Sequence, residues 1–406
     1  MARVLSPRFS FAGLAAVFGA FFFAAGAPTP LLSLRQQEWS FSAGTLTIAF
    51  SIYALGLLAA LLVGGSLSDH IGRRPVMLAA LCGELGSMIV FVFAASITWV
   101  IVARALQGLA TGLATSAFNA AIAEQAPAHL KKFPGALAGA SVAGGLGIGA
   151  LAAGAAVQFT PDANTLIFVV LSAVMVLAIA FVSLTSETAP KRPGALRSLT
   201  PRLQLPARIR SEFLAGIPVH IAGWMFPALF LGLSPAVLRF HFALDGGLVA
   251  GFTSFLGPFA AALSSFAFAR HPARRSTLLG VILILAGIMM VLLGVNETWL
   301  PGVWIGAVLG GVGFGGSFGG QLRLIAPHIQ PHQRAGVFSG IYAAAYLAFS
   351  VPVIIAGQLV PLLGLVPTLQ SYAAAIIAFA ALAIVIQAAR LRQDMAPKPV
   401  PAGSAT

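Results

Sequence analysis

The chain has 406 residues, 59% of them hydrophobic and only 8% charged, with a formal net charge of +13. Soluble domains carry roughly 25% charged residues, so this chain cannot clothe a water-facing surface. Apolar runs of about 17–25 residues recur, each long enough to cross a hydrocarbon layer of about 30 Å, and nothing alternates like barrel strands of about ten residues. The expected class is an all-α membrane protein.

Hydropathy places about twelve spans near 11–33, 46–68, 76–95, 99–123, 136–158, 164–184, 213–235, 247–269, 276–294, 300–325, 336–360 and 367–389. The N-terminal stretch has the outline of a signal peptide, with Arg3 and Arg8 ahead of an apolar run. That run is too long, and its loss would leave an odd helix, so it is read as the first span. It carries Phe18, Phe22, Pro28 and Pro30, which suggest an aromatic, kinked helix, and no acid.

After the second span comes Gly65-Ser66-Leu67-Ser68-Asp69-His70-Ile71-Gly72-Arg73-Arg74. Asp69 falls at the membrane edge, on the side where the eleventh span begins, and the positive N-terminus of that helix would attract it. Gly65 would let a neighbouring helix approach closely, and Gly72 would permit a tight turn. Arg73 and Arg74 also read simply as topology signals. The third span holds the lone cysteine, Cys82, which excludes an internal disulfide, and Glu84, the acid nearest the midplane. An isolated Glu in lipid can cycle between charged and neutral forms, as proton coupling requires; it can equally sit neutral on a neighbouring backbone. Glu124, where the fourth span ends, reads as interfacial.

Arg104 lies in the otherwise apolar fourth span, where a charge costs at least about 2.5–3.5 kcal/mol and marks a functional site by default. At 100° per residue, Arg104, Gln107, Gly108, Thr111, Thr115 and Asn119 share one stripe. Such a stripe faces protein or a wet cavity. Cavity lining competes with helix–helix packing through Gly108, Gly112 and the threonines. The fifth span contributes Gly149 and Gly154 within a glycine series that close packing also explains. His220 in the seventh span shares a face with Ile217, Trp224 and Pro227; it is a titratable group at depth or a packing histidine.

Segment 186–211, rich in Pro, Arg and Lys, divides the chain into bundles 1–185 and 212–392, with 393–406 expected as a disordered tail. Of the 23 Lys and Arg residues, Arg35 and Arg239 alone fall in outer loops. The positive-inside rule then puts both termini in the cytoplasm, and the basic charge is a topology signal rather than a nucleic-acid footprint. The halves repeat: Asp69 to Arg74 matches Arg270 to Arg275, Gly108 and Gly112 match Gly311 and Gly315, and Ala153-Gly154 matches Ala356-Gly357.

The Gly65–Arg74 segment resembles the signature loop between helices two and three of the major facilitator superfamily, departing at His70. Arg104, two residues, then Gln107-Gly108 resembles its fourth-helix motif. The resemblance implies two six-helix bundles around a central cavity and alternating access, with the loop acting as a cytoplasmic gate in the outward-open state. It also implies that the third helix is peripheral. In its drug–proton antiporters the fifth helix ends a glycine series with Gly-Pro and, two residues on, Gly-Gly; here Gly149-Ala150-Leu151-Ala152-Ala153-Gly154 lacks the proline and one glycine. The expected function is proton-coupled efflux of a hydrophobic or amphipathic small molecule by an inner-membrane antiporter, monomeric, without cofactor or metal beyond the proton. The substrate and proton pathway falls to Arg104, Gln107, Thr111, Glu84, His220 and Trp224, with Gly108, Gly149 and Gly154 as conformational glycines. A carrier of a sugar or organic anion, paired by Arg104, is the alternative. A membrane enzyme or scaffold lacks the clustered groups or large domains it would need.

Overall fold

The computed structural model describes residues 6–128, 134–200, 205–330 and 334–395. Arg3, Lys131, Lys132, Arg202 and tail residues 396–406 lie outside the described residues. The first half runs α1 (Pro7–Gly26), α2 (Pro28–Trp39), α3 (Ala43–Gly64), α4 (Ser68–Ile71), α5 (Arg73–Val92), α6 (Ile97–Glu124), α7 (Pro134–Phe159) and α8 (Ala163–Ser183). After a linker with the short α9 (Ala195–Ser198) come α10 (Ala207–Gly232), α11 (Ser234–Phe240), α12 (Gly247–Phe268), α13 (Ala273–Asn296), α14 (Leu300–Ile325), α15 (Arg334–Leu363) and α16 (Leu365–Met395). Among the described residues, twelve helices are long and apolar enough to span a membrane. Successive spans run in opposite directions, so the start of α1, the linker and the end of α16 lie on one side, here the terminal side, opposite the far side.

Three boundaries differ from expectation, each for a local reason. The first span is two helices, because Pro28 has no N–H to continue the ladder; α2 extends it beyond the far side to Trp39. The seventh breaks likewise, at Leu233, with Pro235 in the first turn of α11. The expected linker 186–211 loses its last residues to α10, whose first turns carry Arg208, Arg210 and Glu212 outside the apolar layer.

Glycines set the packing. A Cβ on Gly108 or Gly112 would strike the carbonyls of Tyr53 or Leu57, so α6 lies directly on α3. In the second half Gly311 and Gly315 meet the carbonyls of Gly257 and Ala261, which places α14 on α12 in the same way. Gly154 of α7 meets the Gly247 carbonyl of α12, and Gly357 of α15 meets Thr47 of α3. Each glycine pair matched in the sequence thus makes the equivalent contact in its own half or across the two. Gly149 lets α7 pass over the Phe23 carbonyl of α1.

The halves meet along α7 and α12, from Gly154 against Gly247 to Gly144 against Ala262, and between α3 and α15. Ser51 donates to the Ser350 carbonyl at 3.4 Å, and the Phe50 and Phe349 rings pack at 5.2 Å. Helix α3 buries Phe50, Tyr53, Leu57 and Leu61 in the apolar cluster of the second half, so the second span serves both bundles.

Candidate functional site

Arg104 stands eight residues into α6 and is 2% exposed. Its guanidinium donates to the carbonyls of Ala25 (3.1 Å), Ala49 (3.4 Å) and Phe50 (3.2 Å) and to Gln107 Oε1 (2.7 Å). It lies over the Tyr53 ring at 4.4 Å, a cation–π contact. Ala25 belongs to the last turn of α1, where helix carbonyls have no ladder partner. One side chain therefore ties α1, α3 and α6 together. Four of the five N–H donors of the guanidinium are used in this way.

Gln107 passes the connection on. Its Nε2 donates to Glu84 Oε1 at 3.1 Å. Glu84 is 0% exposed, and its Oε2 has no hydrogen-bond partner among the described residues. By helix rise Glu84 and Arg104 both lie about 10–12 Å inside the far ends of their helices. Of the two readings of Glu84, a coupling carboxyl or an acid resting on a neighbouring backbone, the structure gives it a side-chain partner: α5 packs on α6 and presents Glu84 to Gln107 of the polar stripe. Ser87, one turn on, donates to the Ala103 carbonyl at 2.9 Å and fixes the same contact.

The rest of the stripe turns inward on its own helix. Thr111 donates to the Gln107 carbonyl, Thr115 to that of Thr111, and Asn119 to that of Thr115. Thr111 is fully buried. These bonds satisfy the threonine hydroxyls and the Asn119 amide N–H within α6.

His220 and Trp224 do not join this group. They lie on α10 in an aromatic cluster with Phe314, Phe318 and Tyr346, and Trp224 and Tyr346 rings pack at 5.0 Å. Tyr53, Trp224 and Tyr346 belong to one apolar cluster, with Arg104 over the Tyr53 ring and Trp224 against Tyr346. Gln321, fully buried on α14, and Tyr53 are site residues that the sequence reading missed. A lone amide inside a glycine-rich apolar run was the available signal for Gln321.

Next to Trp224 an apolar pocket opens between the halves, lined by Val142 and Leu146 of α7 and by Phe226, Pro258, Phe314 and Phe349 of the second half. Its free space is about 50 Å³. That is room for a few water molecules, whereas ligand pockets run to about 300–1,000 Å³. A drug-sized molecule requires the halves to move.

On the terminal side the motif loop is folded onto its own half. Asp69 pairs with Arg73, and Arg73 also reaches Glu124 at 3.1 Å. Gly72 adopts φ +102°, the tight turn expected of it. Gly65 is corrected: a Cβ there would meet the Leu61 carbonyl of the preceding turn, not a neighbouring helix. The loop is strapped by the linker instead. Glu187 accepts from the N–H groups of Arg73 (2.8 Å) and Arg74 (3.1 Å), Ser66 donates to Ser198 O (3.0 Å), and Arg192 N–H donates to His70 O (2.8 Å). In the second half the matching Arg274 pairs with Glu212 and Asp394.

Two repeated six-helix bundles, packed together through α7–α12 and α3–α15, and a buried polar site at mid-depth define a secondary-transporter fold. The family model for the Major Facilitator Superfamily matches residues 10–351, and the chain belongs to that family, of transporters rather than enzymes. It is similar to the human organic anion transporter MFSD10 (TETRAN), with 18% identity, a TM-score of 0.70 and coverage of 93% of this chain and 100% of that one. It is also similar to a bacterial homolog of the human lysosomal transporter Spinster in an inward-facing, unoccupied conformation, with 13% identity, a TM-score of 0.74 and coverage of 97% and 99%. A stretch of 72 residues is 42% identical to the multidrug transporter mfsB of Aspergillus fumigatus, spanning 17% of this chain and 11% of that protein.

Proposed function

We propose that this transporter exports a hydrophobic or amphipathic small molecule in exchange for protons, as a monomer in a cell (inner) membrane with both termini cytoplasmic. The observation that carries the reading is Glu84: a buried carboxyl at mid-depth, one oxygen held by Gln107 and the other unpartnered. A group so placed binds and releases a proton when the surrounding helices shift. The concentration of Lys and Arg on the terminal side supports the cytoplasmic assignment. With that orientation the motif loop is cytoplasmic, where Asp69 pairs with Arg73. The apolar lining of the pocket favours a hydrophobic cargo, the class to which the multidrug parallel also points.

The organic-anion reading would use Arg104 as the anion's partner. Here four guanidinium N–H groups are already committed to carbonyls and Gln107, which makes Arg104 a strut rather than a receptor. The test is flux of hydrophobic, amphipathic and anionic compounds in proteoliposomes under an imposed pH gradient. Accumulation of a hydrophobic compound that tracks the gradient is the expected result; anion transport indifferent to the gradient would refute the proposal.

A further inference from the structure

The second half holds a column of buried polar side chains that the Arg104 group does not use. Gly216, His220 and Trp224 recur every four residues on α10, and so share one face. Opposite them on α14 stand Phe314, Phe318 and Gln321. His220 packs edge-on to Phe318 with 5.8 Å between ring centroids, and Trp224 edge-on to Phe314 and Phe318 at 5.3 and 5.4 Å. At Gly216 a Cβ would come within 2.7 Å of Gln321 Oε1 and 3.7 Å of His220 Nε2, so the glycine keeps the Gln321 amide and the imidazole side by side.

Within this aromatic frame five polar atoms have no hydrogen-bond partner among the described residues. They are Nδ1 and Nε2 of His220, Nε1 of Trp224, and Oε1 and Nε2 of Gln321. The three residues are 2%, 8% and 0% exposed. Leaving one such group unsatisfied costs about 1–3 kcal/mol, so three neighbouring orphaned side chains call for a partner that arrives from outside. Trp224 also lines the apolar pocket, which joins the column to the space between the halves. The indole and the amide NH2 donate, the amide oxygen accepts, and a neutral imidazole does one of each. Among the described residues no free carboxylate faces them: Glu212, one turn before Gly216 on α10, is neutralised by Arg274 and Arg390, and Glu84 is held by Gln107 in the other half.

We infer that His220, Trp224 and Gln321 orient the transported molecule, and that it is an uncharged compound with a flat aromatic body and a compact group that both donates and accepts hydrogen bonds, such as a carboxamide. The inference rests on the transport reading above. The aromatic rings hold the body, the pocket admits its apolar end, and the absent counter-charge discriminates against cations.

Three tricyclic probes of similar size test it: carbamazepine, an uncharged carboxamide; imipramine, a cationic amine; and dibenzosuberane, a hydrocarbon. Equilibrium binding to the purified full chain in nanodiscs is expected to favour carbamazepine over both by about tenfold or more. Gln321→Leu and His220→Phe should each weaken carbamazepine about tenfold and leave dibenzosuberane unchanged, which also reports a folded site. Gln321→Glu should shift preference toward imipramine. The inference is overturned if carbamazepine shows no saturable binding, if imipramine binds the native chain equally well, or if Gln321→Leu binds carbamazepine as the native chain does. Saturable carbamazepine binding without flux of any compound would overturn the transport reading and leave this one standing. Proton-coupled flux without preference for carbamazepine would overturn this one alone.

Discussion

Glu84 and Arg104, on neighbouring helices, are joined through a single amide: Gln107 Oε1 accepts from Arg104 at 2.7 Å while its Nε2 donates to Glu84 at 3.1 Å. An acid and a base are thus connected without touching. The amide keeps the carboxyl from being locked into a direct ion pair, while the arginine ties α1, α3 and α6 together.

Removing the amide exposes both ends of the connection. Gln107→Leu leaves one Arg104 N–H and the Glu84 Oε1 unpaired in a buried site, and the expected loss of stability is about 1–3 kcal/mol. Thermal unfolding in nanodiscs measures it. Gln107→Glu should instead place a charge directly beside Arg104 and suppress proton-dependent flux with less loss of stability.

Closure of the far side depends on Gly154, where any Cβ collides with the Gly247 carbonyl and lies 2.7 Å from Gly251 Cα. Backbone cannot yield as a side chain can, so Gly154→Val forces α7 and α12 apart. In a Cys82→Ser background, Thr47→Cys on the far side should react with a membrane-impermeant thiol reagent faster when Gly154→Val is present. Equal rates would show that the α7–α12 contact does not govern closure.

The linker is held by Glu187, whose carboxylate caps the first N–H groups of α5. Glu187→Ala removes that cap at an expected cost of about 0.5–2 kcal/mol, with faster proteolysis of the linker as a second readout. Gly72→Ala should cost more, because φ +102° disfavours a side chain and the new Cβ would meet Glu187 Oε2 at 2.5 Å.

Glu212 anchors α10 by bridging Arg274 of α13 and Arg390 of α16 at 2.6 and 2.7 Å. It is about one-fifth exposed, with side-chain exposure of 19%. Glu212→Ala leaves two partly buried guanidinium groups facing one another. A loss of stability larger than that of an exposed pair, which is typically about 0–1 kcal/mol, is expected in a thermal melt.

Much of the architecture was legible because lipid leaves the chain few choices: long apolar runs had to be helices, and the repeated glycine pairs had to be close contacts. Gly108 and Gly311 fulfil that reading through the carbonyls of Tyr53 and Gly257. The helix breaks were less legible, since Pro28 and Pro235 sit inside runs whose hydropathy is uninterrupted. The partner of Arg104 was hidden for another reason. Glu84 lies on a different helix, and its contact passes through Gln107, so no spacing along the chain encodes it. Gln321 carries no charge and no periodic partner; a lone amide in a glycine-rich apolar run was its one signal in the sequence, and its full burial makes it stand out in the structure.

The most direct measurement compares two modes of transport in Glu84→Gln, using a compound that the native chain moves in proteoliposomes. Counterflow exchanges labelled for unlabelled compound and needs no net proton movement; accumulation driven by a pH gradient does. The account predicts that Glu84→Gln retains counterflow and loses gradient-driven accumulation. Full accumulation in Glu84→Gln, with its dependence on the gradient intact, would contradict it.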